Sequence, residues 1–197
     1  MKKININPIE REVDYIVLHT AAHGNKENNY DTSAEQINDW HLERGWRGIG
    51  YHFVIRHNGD IEEGRELERT GAHAKGLNTD SIGICMSGHG DYFDFTEEQY
   101  ESLFELCIEL SNKLNVPIDN IIGHRELNDL IEKGHLESQY KTYKTCPGKI
   151  ISMDMIRKKI KEKIKKDNKK SKAYFLLSMF KGFGSIFDQL FKSNLIF

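Results

Sequence analysis

The chain has little of what marks several common protein classes. Its 197 residues include three cysteines, Cys85, Cys107 and Cys146, an odd number with no Cys-x-x-Cys spacing. A disulfide framework is therefore not expected, and a reducing compartment fits better. The formal net charge is −2, which argues against a dedicated nucleic-acid binder. The N-terminal stretch MKKININPIEREVDY has two lysines but no apolar run behind them, so no secretory signal is expected. No internal repeat is evident. What remains, 38% hydrophobic and 29% charged residues, is the composition of a globular protein with room for one cored domain and an appendage.

The patterns alternate between strand and helix. Val13 to Thr20 (VDYIVLHT), Tyr51 to Arg56 (YHFVIR) and Ser81 to Met86 (SIGICM) are apolar and β-rich, which predicts buried strands. His57-Asn58-Gly59-Asp60 predicts a hairpin turn, because Asn-Gly accepts positive φ, with a return strand from Ile61 to Gly64. Ser33 is a predicted N-cap for a helix to about Arg44, stopped by Gly45. Thr96-Glu97-Glu98-Gln99 is a capping box. The helix it opens keeps Leu103, Leu106, Cys107, Leu110 and Leu114 on one stripe. A short strand at Ile121 and Ile122 leads into Gly123-His124-Arg125-Glu126. The expected fold is α/β, a central mixed sheet flanked by helices. Cys85 and Cys107 fall in apolar patterns and read as core.

Composition changes after about residue 151. Residues 157–172 hold ten Lys or Arg, and AYFLLSMFKGFGSIFDQLFKSNLIF follows from Ala173. The expected division is a main domain over 1–160 and a basic, then Phe-rich amphipathic helical tail over 161–197. A helix that packs back on the domain is one reading of 173–197. Contact with a membrane or lipopolysaccharide is the other, and the adjoining positive charge favours it.

The stretch YKTCPGK (143–149) puts a cysteine where the chain bends, and bends are where working groups are commonly placed. Zinc takes His nitrogen and Cys thiolate, with a catalytic site keeping one open position. His19, at the end of the first strand, and His124, after a short strand and a glycine, are partners for Cys146 by position. Spacing alone leaves the alternative open: a strand-end histidine, a helix-capping histidine and an ordinary thiol. His135 is a competing ligand.

Several stretches, in order, carry a resemblance: IVLHTAA, INDWHLERGWRGIGYHFVIRHNGDIEEGR, GAHAKGLNTDSIGICMSG, IIGHRE and KTCPG. Over residues 12–150 the chain resembles the zinc-dependent N-acetylmuramoyl-L-alanine amidases, most of all the amidase-type phage lysozymes, which share a fold with peptidoglycan recognition proteins. The resemblance implies Zn2+ held by His19, His124 and Cys146, a catalytic Tyr51 (in GYHF) and a catalytic Lys144, two residues before the cysteine. It implies a peptidoglycan substrate cut between N-acetylmuramic acid and L-alanine; the lack of a signal segment is compatible with an endolysin, expected to be a monomer, held in the cytoplasm until release. The plain readings of Tyr51 and Lys144 are a strand tyrosine and a solvated lysine. His73 is either a substrate-groove residue or a structural hydrogen-bonding one. The connection between His124 and Cys146 is longer than in the compact phage lysozymes. A non-catalytic recognition module, a zinc peptidase acting within the stem peptide and a recycling amidase are the rival functions.

Overall fold

A computed structural model describes residue 6 and residues 9–172. The chain divides into two compact units, Met1–Ile160 and Lys161–Phe197. The first holds a five-stranded mixed sheet in the order β3-β2-β4-β1-β5. Its strands are β1 (Tyr15–Thr20), β2 (Phe53–Ile55), β3 (Ile61–Glu63), β4 (Ser81–Met86) and β5 (Ile121–Gly123). β4 and β5 flank β1 in parallel, β2 runs parallel to β4, and β3 closes the edge antiparallel to β2 across the Asn58-Gly59 turn. In the second unit, the described residues 161–172 are helical. The Phe-rich stretch 173–197 lies outside the described residues, and with it the predicted membrane contact. Among the described residues no helix is long and apolar enough to cross a membrane.

The central strands β1 and β4 are buried on both faces, as parallel strands covered by helices must be. One face carries Val17, Ile122, Val54 and Cys85. There α3 (Leu127–Glu132) adds Leu127 and Leu130, and α1 (Ala34–Glu43) adds Ile37. Ile16, Leu18, Ile82 and Ile84 point the other way by the period of two. α2 (Glu97–Leu114) contacts β2 and buries Leu103, Leu106, Cys107 and Leu110. Its capping box is formed: Thr96 accepts from the Gln99 amide and Gln99 accepts from the Thr96 amide. Ser33 caps α1 as its position predicts.

Two strands are shorter than their apolar runs. The amides of Asp14 and Tyr15 both turn to the Asp80 carbonyl, so β1 begins at Tyr15. Tyr51 and His52 bend ahead of β2 while keeping backbone bonds to Gly83, Gly64 and Arg65, and Gly50 beside them meets the Ala72 carbonyl so closely that a Cβ would lie 2.2 Å from it.

Candidate metal centre

The site is assembled by strand register. β1 and β5 are parallel with Leu18 opposite Gly123, so the next residue on each, His19 and His124, emerge side by side. Their ring centroids are 4.8 Å apart. Both lie at the carboxyl ends of parallel strands, where open α/β sheets place their ligands.

Cys146 arrives from a distant turn, and that turn is held at several points. Arg125 donates from Nη1 to the Thr145 and Gly148 carbonyls (3.1 and 2.5 Å) and from Nη2 to Ile151 (2.5 Å). Its amide donates to the Cys146 carbonyl at 2.8 Å. Asp91 accepts from Thr145 Oγ1 and from the Lys149 amide. Gly148, at φ +142°, lies against Gly90, where a Cβ would come 2.0 Å from the Gly90 carbonyl oxygen. A side chain at either glycine would push the cysteine turn away. Arg125 and Asp91 were not among the residues singled out from sequence, although Arg125 adjoins His124 in the IIGHRE motif.

His19, His124 and Cys146 offer ligand atoms that all lie within 4.8 Å of one another. Cys146 Sγ is 3.6 Å from His19 Nδ1. Bonds of ~2.0–2.1 Å to nitrogen and ~2.3 Å to sulfur in tetrahedral geometry put two such ligands about 3.6 Å apart. The two imidazoles and the thiol are thus a donor set that could hold one divalent metal. Protonation suits this too. Burial, then the charges of His73, His124 and Lys144, hold His19 well below its usual range. Burial and then Lys144 bring His124 down to about 4. Both imidazoles are neutral at pH 7, with lone pairs available. Burial pushes the Cys146 thiol up to about 11, against a backbone hydrogen bond from Thr20 and the nearby charges of Lys144 and Arg125. A bound cation supplies what favours the thiolate.

His19 is oriented from behind. Its Nε2 lies 3.0 Å from His73 Nδ1. With Nδ1 kept free for a metal, Nε2 carries the proton and donates to His73. The His73 proton then sits on its own Nε2, which is buried without a hydrogen-bond partner among the described residues. The His73 ring fits because Gly71 and Gly83 lack side chains: a Cβ on either would come 2.5 Å from it. His73 thus makes a structural contact to His19 and also lines the cleft beside it.

Tyr51 stands over His19 with ring centroids 5.0 Å apart. Burial, then Cys85 and Cys146, raise its hydroxyl well above the usual tyrosine value, so it is a proton-bearing donor at neutral pH. Lys144 is exposed, and with His73 and His124 it lines a cleft of about 390 Å³. His135 lies apart, in a second cavity with Asp129 and Arg157, and is not in the metal-ligand group.

Residues 9–149 match the family model described as N-acetylmuramoyl-L-alanine amidase. The endolysin of Escherichia phage T7 is 40% identical over 105 residues, 51% of this chain and 68% of that protein. The endolysin of Klebsiella phage KP32 is 36% identical over 105 residues, with the same coverage of both. Among solved structures, the N-acetylmuramoyl-L-alanine amidase LysC from Clostridium intestinale superposes with a TM-score of 0.63 at 29% identity, covering 77% of this chain and 87% of its own. With residues 9–149 matching that family model and the mixed sheet superposing on a solved amidase, the chain belongs to the N-acetylmuramoyl-L-alanine amidase family.

Proposed function

We propose that the chain is a zinc-dependent peptidoglycan amidase of the endolysin type, which hydrolyses the amide between N-acetylmuramic acid and L-alanine of the stem peptide. The observation that carries this reading is the convergence of His19, His124 and Cys146 on one point beside an open cleft. A recognition module would not need a thiol aimed at two neutral imidazoles.

His19, His124 and Cys146 would hold the ion. A zinc ion bound there would supply Lewis acidity and bring the pKa of a water to ~7. The protein's own groups do the rest. His73 fixes the His19 tautomer, so that Nδ1 faces the metal. Tyr51, which keeps its proton, donates a hydrogen bond to the attacking water or to the oxygen on which charge develops. A tyrosine held above its usual pKa is a poor base. Lys144 brings a cation to that oxygen, and one such preorganised donor is worth about 3 kcal/mol of barrier.

The bond cleaved is tested by mass spectrometry of digested peptidoglycan. Release of intact stem peptides that begin at L-alanine is the expected result. Cleavage inside the stem peptide would make the enzyme a peptidase instead.

The run of basic residues in 157–172, followed by the Phe-rich sequence 173–197, supports a second element of the proposal, a membrane-directed C-terminal region. Co-sedimentation with anionic liposomes should fall when 173–197 is deleted; binding unchanged by the deletion would refute it.

A further inference from the structure

Tyr51 lies ahead of β2, and the chain that leads into it is held group by group. The Ile49 amide donates to Asn38 Oδ1 at 2.9 Å and the Gly50 amide to His41 Nδ1 at 3.0 Å. Asn38 and His41 are three apart on α1, so they share one face of the helix and reach adjacent amides. Three more bonds close on the carbonyls. Arg65 Nε donates to Ile49 at 2.8 Å, the Ala72 amide to Gly50 at 3.0 Å and the Arg65 amide to Tyr51 at 2.8 Å. Gly50 is the point where this course would otherwise be loosest, because a residue without a side chain has the widest choice of φ and ψ. The bond to His41 removes that freedom one residue before Tyr51.

His41 also touches Tyr51 directly. Its ring packs on two others, with centroids 4.4 Å from Trp46 at 33° and 5.7 Å from Tyr51 at 44°. The Trp46 amide donates to the His41 carbonyl at 2.9 Å. His41 itself is 5% exposed. Burial, then the charges of Arg44 and Arg65, lower its pKa, so the ring is neutral at pH 7, with its proton on Nε2 and the Nδ1 lone pair turned to Gly50. Tyr51 in turn stands 5.0 Å over His19, and His41 is not in the metal-ligand group. One buried side chain thus bears on the tyrosine through its backbone and through its ring.

We infer that His41 is a positioning residue for hydrolysis, which fixes the Gly50 amide and the Tyr51 ring and so holds Tyr51 over His19. The inference rests on the amidase reading and adds to it a residue that acts through Tyr51. A histidine that served only to fill the core would stabilise the fold without being coupled to the tyrosine hydroxyl.

The test is a double-mutant cycle on stem-peptide release from purified peptidoglycan by the zinc-loaded full chain, with H41L, Y51F and H41L/Y51F. Leucine fills the space but cannot accept the Gly50 bond. H41L should lower kcat about tenfold with KM unchanged, because a displaced Tyr51 weakens an interaction made in the transition state. In the Y51F background the same substitution should cost less than about twofold, since the hydroxyl that His41 positions is gone. H41N offers an amide oxygen where Nδ1 stands, so its loss should be smaller than that of H41L and should likewise disappear in Y51F. Zinc stoichiometry should stay at one throughout, which separates positioning from damage to the ligand set. Losses in H41L or in H41N that are as large in Y51F as in the unsubstituted chain would overturn the inference. So would an unchanged kcat in both variants, or zinc content below one in H41N. Failure of the amidase reading would show separately, as no stem-peptide release by the unsubstituted chain.

Discussion

Pro147 is seated on Gly123: a Cβ added at position 123 would lie 2.7 Å from Pro147 Cδ. One residue precedes His124 and the other follows Cys146, so the contact sets how closely these two ligands approach. Gly123 has φ −81°, open to any residue, so the need for glycine there is space. G123A should cost about 1–3 kcal/mol from overpacking and should weaken zinc binding in chelator competition. A destabilised variant with unchanged zinc affinity would show that the contact does not govern ligand spacing.

Arg125 holds the cysteine turn and through it would act on the proposed metal site. R125A removes three side-chain hydrogen bonds to the Thr145, Gly148 and Ile151 carbonyls. Loss of such supporting contacts typically costs 10–100-fold in metal affinity, and that range is expected here. R125K keeps the charge but not the fork that spans separate carbonyls, so it should recover little. Zinc affinity measured with a fluorescent chelator decides it.

Zinc uptake should release about one proton at pH 7. His124, at about 4, and His19, held well below its usual value, are already neutral, whereas the Cys146 thiol, pushed up to about 11, must ionise. Apparent affinity should therefore rise about tenfold per pH unit between roughly pH 5 and 10. Below about pH 4 the slope should steepen, as protons compete for His124 as well. Calorimetry in buffers of different ionisation enthalpy counts the protons. Release of none would mean that the thiolate exists before the metal arrives.

K144A should lower kcat by about 10²–10³-fold while leaving zinc stoichiometry at one. Y51F should lower kcat also, with no shift in the pH profile, because the hydroxyl keeps its proton throughout. An alkaline limb that disappears in Y51F would instead mark Tyr51 as a titrating base.

Much of this was legible in the residues. The apolar run SIGICM is a strand over the same residues, and the capping box at Thr96 opens a helix that ends at Leu114, as its stripe and Pro117 imply. The ligand set needed the resemblance. No two of His19, His124 and Cys146 are near in sequence, and only the parallel register of β1 with β5 joins the histidines. Less visible were interactions that depend on where a loop returns. Arg125 reads as a charged residue after a histidine until the cysteine turn folds over it. His73 reads as a loop histidine until Gly71 and Gly83 leave room for its ring behind His19.

The central claim is that a metal held by His19, His124 and Cys146 drives hydrolysis. Its most direct test is stem-peptide release by chelator-treated protein, before and after one equivalent of zinc, for the unsubstituted chain and for C146A. Restoration by one equivalent in the unsubstituted chain, and none in C146A, is the predicted result. Full activity in the presence of chelator, or equal restoration in C146A, would contradict the account.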